Sequence, residues 1–162
     1  MRLLRLDNRA IDLFVDTTNY TMLDMGQPLH AFDADAIKTK IIEPRQAKKG
    51  ETLELLDGTK LNLVKDDLVI SDGKKPLALG GIKGGVSSGV TPSTTSILLE
   101  AGNFDPGAIR LATARNKVRT EASVRFEKAL DPNQNVLGIM RFIRLLKDAG
   151  ANIIYTPKIV SL

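Results

Sequence analysis

The chain has no cysteine and no tryptophan, a single histidine, and aromatic residues at only 4% of its 162 positions. Without thiols, disulfides and thiolate metal sites are excluded. That absence fits a reducing compartment. With one histidine there is no His-pair metal motif, and the expected metal content is none. So few aromatics leave no broad base-stacking face of the kind single-strand binders use. No apolar run reaches membrane-spanning length. The segment Met1-Arg2-Leu3-Leu4-Arg5-Leu6-Asp7 is too charged and too short for a signal peptide. Internal repeats and low-complexity tracts are lacking as well.

What is present is ordinary globular material. Hydrophobic residues make up 43% and charged residues 26%, enough for residues 1–162 to form a single domain with its own core. The net charge of +4 suits either a polyanionic partner or a solvated surface with a few extra lysines.

Helical spacing of Ile11, Phe14, Val15, Thr18, Met22 and Met25 predicts a helix over Arg9–Met25, capped by Asn8 and stopped by Gly26 before Pro28. Pro28 then disfavours helix at Gln27, so residues 27–33 read as a loop that carries His30. Leu53 and Leu55, then Asp57-Gly58, then Leu61 and Leu63 predict a hairpin whose turn residues both reach positive φ. A second turn at Asp72-Gly73 separates Leu68-Val69-Ile70 from Leu77-Ala78-Leu79. Ile97-Leu98-Leu99 reads as a buried strand ending in Glu100. Asp105-Pro106 and Asp131-Pro132 read as caps with proline in the first turn. After the second, Val136, Ile139, Met140, Ile143 and Leu146 form an apolar stripe. Gly150 ends that helix, and Ile153-Ile154-Tyr155 starts a last strand. The fold class is α+β, a sheet-rich layered core with flanking helices.

Four residues or loops are candidates for chemistry. His30 is either a structural histidine or a functional one on a loop. Gly80-Gly81-Ile82-Lys83-Gly84-Gly85 holds four of the 13 glycines. It is either a flexible turn or a place where backbone amides approach a ligand, and it lacks the Gly-Lys-Ser/Thr ending of a P-loop. Glu100 needs a partner if buried, a salt bridge or a ligand. Thr120 to Glu127 reads as a helix start with Thr120 as its cap. No Ser-His-Asp spacing occurs.

In order along the chain come Thr18-Asn19-Tyr20, Gly26-Gln27-Pro28-Leu29-His30-Ala31-Phe32-Asp33, Gly50-Glu51, Leu56-Asp57-Gly58, Gly81-Ile82-Lys83-Gly84-Gly85, Leu99-Glu100, Thr120-Glu121-Ala122-Ser123-Val124-Arg125-Phe126-Glu127 and Asp131-Pro132. This series, spanning about Arg9 to Gly150, resembles the central editing domain of the bacterial phenylalanyl-tRNA synthetase beta subunit. The resemblance implies an ester hydrolase that removes tyrosine wrongly attached to the phenylalanine tRNA. It implies that His30 and Asn19 line the scissile ester, that Glu100 and Gly81 meet the tyrosine hydroxyl, and that Thr120 and Ala122 shape the pocket wall. Arg9 would lie near the tRNA terminus. No cofactor is implied for this domain; the parent enzyme uses ATP and magnesium. The implied partners are the aminoacylated tRNA 3′ end and the alpha subunit of an alpha2-beta2 assembly, without a membrane, in the cytoplasm. Three departures flank the site: Lys83 where the family usually has Met, Lys128-Ala129 for a common Arg-Gly, and Ala101-Gly102 for a small polar pair. Two other readings stay open, a non-catalytic tRNA-binding or subunit-packing module and a free-standing aminoacyl-tRNA deacylase.

Overall fold

The computed structural model describes residues 11–156 of the chain. Its elements run α1 (Leu13–Met25), β1 (His30–Asp33), β2 (Glu43–Gln46), β3 (Thr52–Glu54), β4 (Lys60–Asn62), β5 (Leu68–Ser71), β6 (Pro76–Leu79), β7 (Lys83–Gly84), β8 (Ile97–Glu100), α2 (Pro106–Asn116), α3 (Glu121–Phe126) and α4 (Gln134–Asp148). A sheet-rich middle between helices is the α+β arrangement expected.

Helix α1 begins at Leu13, later than expected, because Asp12 is its cap and accepts from Phe14 N at 2.8 Å. Asn8 and Arg9 lie outside the described residues. Gly26 does end the helix, at φ 80. The buried face is Thr17, Thr18, Thr21 and Met22, more polar than the expected stripe. Each of those threonine hydroxyls donates to a carbonyl three or four residues back, which makes its burial tolerable.

The segment after Pro28 is not all loop. His30–Asp33 forms β1 and pairs antiparallel with β8, in the register His30 opposite Glu100 through Asp33 opposite Ile97. β8 itself is half-buried, less enclosed than an all-apolar run suggests. Strands β2, β5, β6 and β7 make a four-stranded antiparallel sheet in that order. The edge strand β2, with its Pro44 and alternating exposure, carries no apolar alternation and was not foreseen. β3 and β4 form the expected hairpin. Only Gly58 of its turn takes positive φ, at 83°; Asp57 instead accepts from Thr59 N at 3.1 Å.

The core lies where these sheets meet α2 and α3, with Phe32, Leu55, Val69, Leu77, Leu79 and Ile109 each at most 1% exposed. The fully buried carboxylate of Asp67 crosses it. Asn116 Nδ2 donates to it at 3.0 Å, Val64 N at 2.9 Å, and Arg115 forms an ion pair with it. Asp105 caps α2, accepting from Ala108 N at 2.7 Å, with Pro106 in the first turn as expected.

Asp131 does not cap α4. Asn133 precedes that helix, and Asp131 Oδ1 accepts from Asn133 N at 2.9 Å. Of the expected stripe of α4, Leu146 is buried, Ile139 and Ile143 are half-buried, and Val136 and Met140 face solvent; Gly138 and Phe142 complete the buried face. Helix α4 packs on α1, and Gly138 faces the segment that follows α1, where a Cβ would stand 2.8 Å from Gln27 Cγ. Arg141 adds an ion pair to Asp24 at 2.8 Å. Residues Ile153 to Tyr155 form no strand, and Ile154 is 99% exposed.

Ala129, just after α3, is held at φ 58. An L side chain there costs about 1–2 kcal/mol, and a glycine returns about 0.5–1 kcal/mol of that through its freer unfolded chain. Ala129→Gly is therefore expected to raise unfolding stability by roughly 0.5–1 kcal/mol. Urea denaturation measures it; a loss of stability would mean the left-handed conformation is not strained.

Candidate active site

The first strand pair creates the site. In an antiparallel pair, directly opposed residues place their side chains on one face of the ribbon, with Cα atoms about 4.5–5.5 Å apart. His30 and Glu100 are such a pair. Both line a cavity of about 70 Å³, together with Gly81, Lys83, Gly84 and Ala122. Pro28, Leu29, the end of β6 and Phe126 complete the wall.

The ribbon is clamped at both ends. Gln27, fully buried, donates through Nε2 to Pro28 O and to Gly102 O, both at 3.0 Å. At the far end Asp33 Oδ2 accepts from Thr94 at 2.6 Å and Ala34 N donates to Ser96 O at 2.9 Å. Gln27 is a positioning residue that neither periodicity nor spacing singles out. A buried amide in a Gly-Gln-Pro turn has a role only once its partner 75 residues away is known.

Glycines supply the room. A Cβ on Gly84 would lie 2.5 Å from His30 Cε1, so the imidazole packs directly against the β7 backbone. A Cβ on Gly102 would stand 2.4 Å from the Phe104 ring and 3.2 Å from Glu100 Oε1. Gly81 needs its glycine twice over, for φ 68 and for the 2.8 Å approach of Ile109 and Phe104. Amides on either side of it are committed, Gly80 N to Leu68 O and Ile82 N to Leu79 O, leaving the Gly81 N–H outside that ladder.

The other two candidates stand apart from the cavity wall. Thr120 caps α3 in a reciprocal capping box with Ser123, and its hydroxyl donates to Ile82 O at 2.8 Å. It braces the Gly81 loop from behind. Asn19, on α1, does not line the cavity. Arg9 lies outside the described residues. The helix start at Thr120 is as expected from sequence.

Electrostatics sets the site's character. His30 Nε2 is shut from solvent and has no hydrogen-bond partner among the described residues. Desolvation by burial pushes the imidazole pKa down to about 4. The Glu100 carboxyl has no ion-pair partner among the described residues, and burial raises its pKa to about 7. Both groups are therefore driven toward their uncharged forms. The salt bridge that was one sequence reading of Glu100 is not made. Lys83 instead pairs with Asp57 of the hairpin turn at 2.6 Å, holding the Asp57 carboxyl down at about 2. Among the described residues no group of three or more His, Asp or Glu is placed to hold a metal ion.

The cavity is thus small and partly lined by glycine, with a buried imidazole nitrogen and a carboxyl that has no ion-pair partner among the described residues. The chain belongs to the B3/4 domain family, whose model matches residues 1–151. It is similar to the phenylalanine–tRNA ligase beta subunits of Protochlamydia amoebophila, 43% identical over 90% of this chain and 18% of that protein, and Yersinia pestis, 47% identical over 91% and 18%. The beta subunit of Cutibacterium acnes is 43% identical over 98% and 19%. The chain thus spans about a fifth of the length of these relatives. No described helix is long and apolar enough to cross a membrane.

Two measurements test the electrostatics. The single imidazole is expected to stay neutral in an NMR titration down to about pH 4; a midpoint near 6.5 would contradict the burial argument. For Glu100 the folded pKa lies above the unfolded one, so the folded state binds the extra proton between about 4.5 and 7, and stability falls as pH rises through that window. Glu100→Gln is expected to gain on the order of 2–3 kcal/mol above pH 7 and nothing below about pH 4.5. Equal gains at both pH values, read from denaturant midpoints, would show that the carboxyl is not desolvated.

Proposed function

We propose that this domain hydrolyses tyrosine esterified to the 3′ end of phenylalanine tRNA, as the editing domain of a phenylalanine–tRNA ligase beta subunit. The observation that carries the reading is the facing pair His30 and Glu100 across one cavity, neither with a charged partner. In the parent enzyme the domain would work beside an alpha subunit that ligates phenylalanine with ATP, and the site would be cytoplasmic.

The selective problem is one hydroxyl on an otherwise identical ring. An apolar pocket cannot resolve it, but a site that bonds the hydroxyl rejects its absence by about 10⁴–10⁵-fold. Glu100, with the Gly81 N–H beside it on the wall, is suited to receive the phenol. A phenyl ring in its place would leave those buried groups unpaired, at about 1–3 kcal/mol each. Ala122 contributes by being small.

The ester needs only a modest catalyst. His30, neutral from about pH 4 upward, presents a lone pair to a water that attacks the carbonyl carbon. A base so weak positions the water more than it removes the proton. The proton passes to the leaving ribose hydroxyl as the ester C–O bond breaks, giving free tyrosine and deacylated tRNA. Asn19 is assigned a part in holding the ester and Thr120 one in bracing the loop. Arg9 is assigned contact with the tRNA terminus.

A second reading rests on the cavity's size. A cavity of about 150 Å³ is needed to hold benzene, and this one has about 70 Å³. A ring enters only if the cavity wall gives way. A domain that stays closed is a packing or tRNA-docking module without catalysis.

Deacylation of Tyr-charged and Phe-charged phenylalanine tRNA separates the two. The wild-type chain is expected to release tyrosine faster than phenylalanine, Glu100→Ala to lose that preference, and His30→Ala to slow release by roughly 10²-fold. Wild-type release no faster than spontaneous hydrolysis would establish the packing module.

A further inference from the structure

Lys83 is the only lysine or arginine that lines the cavity among the described residues. Its side chain is 26% exposed, and its ammonium reaches the β3–β4 turn, where Asp57 holds it at 2.6 Å. The turn and β7 are fixed to each other: Leu56 N donates to Gly84 O at 3.0 Å, and Leu55 bridges to Gly85. The cation therefore sits at a defined place beside the partly exposed β3–β4 turn, on a residue next to the glycine that packs on His30.

Asp57 is a replaceable partner. Its side chain is 46% exposed, and ion pairs open to water are weakly held and screened by salt. Any anion brought to the same place at high local concentration competes with it. On the proposed reading, the aminoacyl group enters the cavity first and the terminal nucleotide stays at the mouth. The nearest anion on such a substrate is the phosphodiester that links the terminal nucleotide to the strand.

We propose that Lys83 is an electrostatic anchor for a phosphodiester of the acylated RNA strand, with Asp57 as the counter-ion it exchanges on binding. This rests on the proposed deacylase reading and names a positioning residue for it. Lys83 touches no reacting atom. It acts on how the strand docks, and its contribution appears in KM and in salt dependence rather than in kcat.

The test is steady-state deacylation of Tyr-charged tRNA by the full chain across a range of potassium chloride concentrations. Lys83→Met is expected to raise KM roughly fivefold with kcat within twofold, and to flatten the salt slope by about 0.7. Lys83→Arg is expected to keep wild-type KM and slope, and Asp57→Asn to lower KM. Millimolar inorganic phosphate at constant ionic strength is expected to leave all rates unchanged; inhibition of wild type that Lys83→Met abolishes would assign the site to free phosphate and overturn the strand anchor. Unchanged KM and slope in Lys83→Met, with an active wild type, would overturn the anchor and leave the deacylase reading standing. An inactive wild type would remove both.

Discussion

The site depends on one register, His30 opposite Glu100 in a two-stranded ribbon whose strands are 70 positions apart in sequence. A slip of one residue in either strand would send one side chain to the other face. Four residue pairs are too few to enforce that register alone. Gln27 and Gly102 lock one end, and the Asp33–Thr94 and Ala34–Ser96 bonds lock the other. Since Gln27 also packs on Gly138 of α4, the clamp extends to the helical layer.

That geometry explains the charge state. An imidazolium and a carboxylate in this position would form an ion pair, but desolvation works against both charged forms. Neither group draws a cation or anion from its own surroundings that would offset the loss of water. Between about pH 4 and 7 the neutral pair is the cheaper state, and it keeps a carboxyl and an imidazole with unused hydrogen-bonding capacity inside protein. Buried polar atoms are normally satisfied. His30 Nε2 is not, and it lies in the cavity that Glu100 also lines.

Local chemistry was legible in the sequence. The Asp57-Gly58 and Asp72-Gly73 turns, the Asp105-Pro106 start and the Thr120 cap each depend on residues within a few positions of one another. The Gly26 stop is of the same kind. What failed depended on distant partners. His30–Asp33 has no strand alternation of its own and becomes a strand only because β8 is there. The buried face of α4 includes Gly138, which a hydrophobicity pattern ignores and which lets Gln27 come close. Asp131-Pro132 imitates a cap, yet the helix starts at Gln134. At the site, the family resemblance supplied residue roles that spacing does not yield. The structure adds which of them share a wall: His30, Glu100, Gly81 and Ala122 do, and Asn19 and Thr120 do not.

Lys83 sharpens the physical logic of the cavity. An ammonium turned inward toward Glu100 would favour the carboxylate, since an opposite charge within a few ångströms stabilises the ionised form. The acceptor would then be occupied by the protein's own cation, and a phenol would have to displace it. Asp57, on a turn whose position is fixed by the Leu56–Gly84 bond, gives the ammonium a better-solvated partner. Charge is thereby separated, with the cation paired to its counter-ion at the hairpin turn and, below about pH 7, an uncharged carboxyl and imidazole in the cavity. With the ammonium paired to Asp57, the Glu100 carboxyl keeps its acceptor capacity unused.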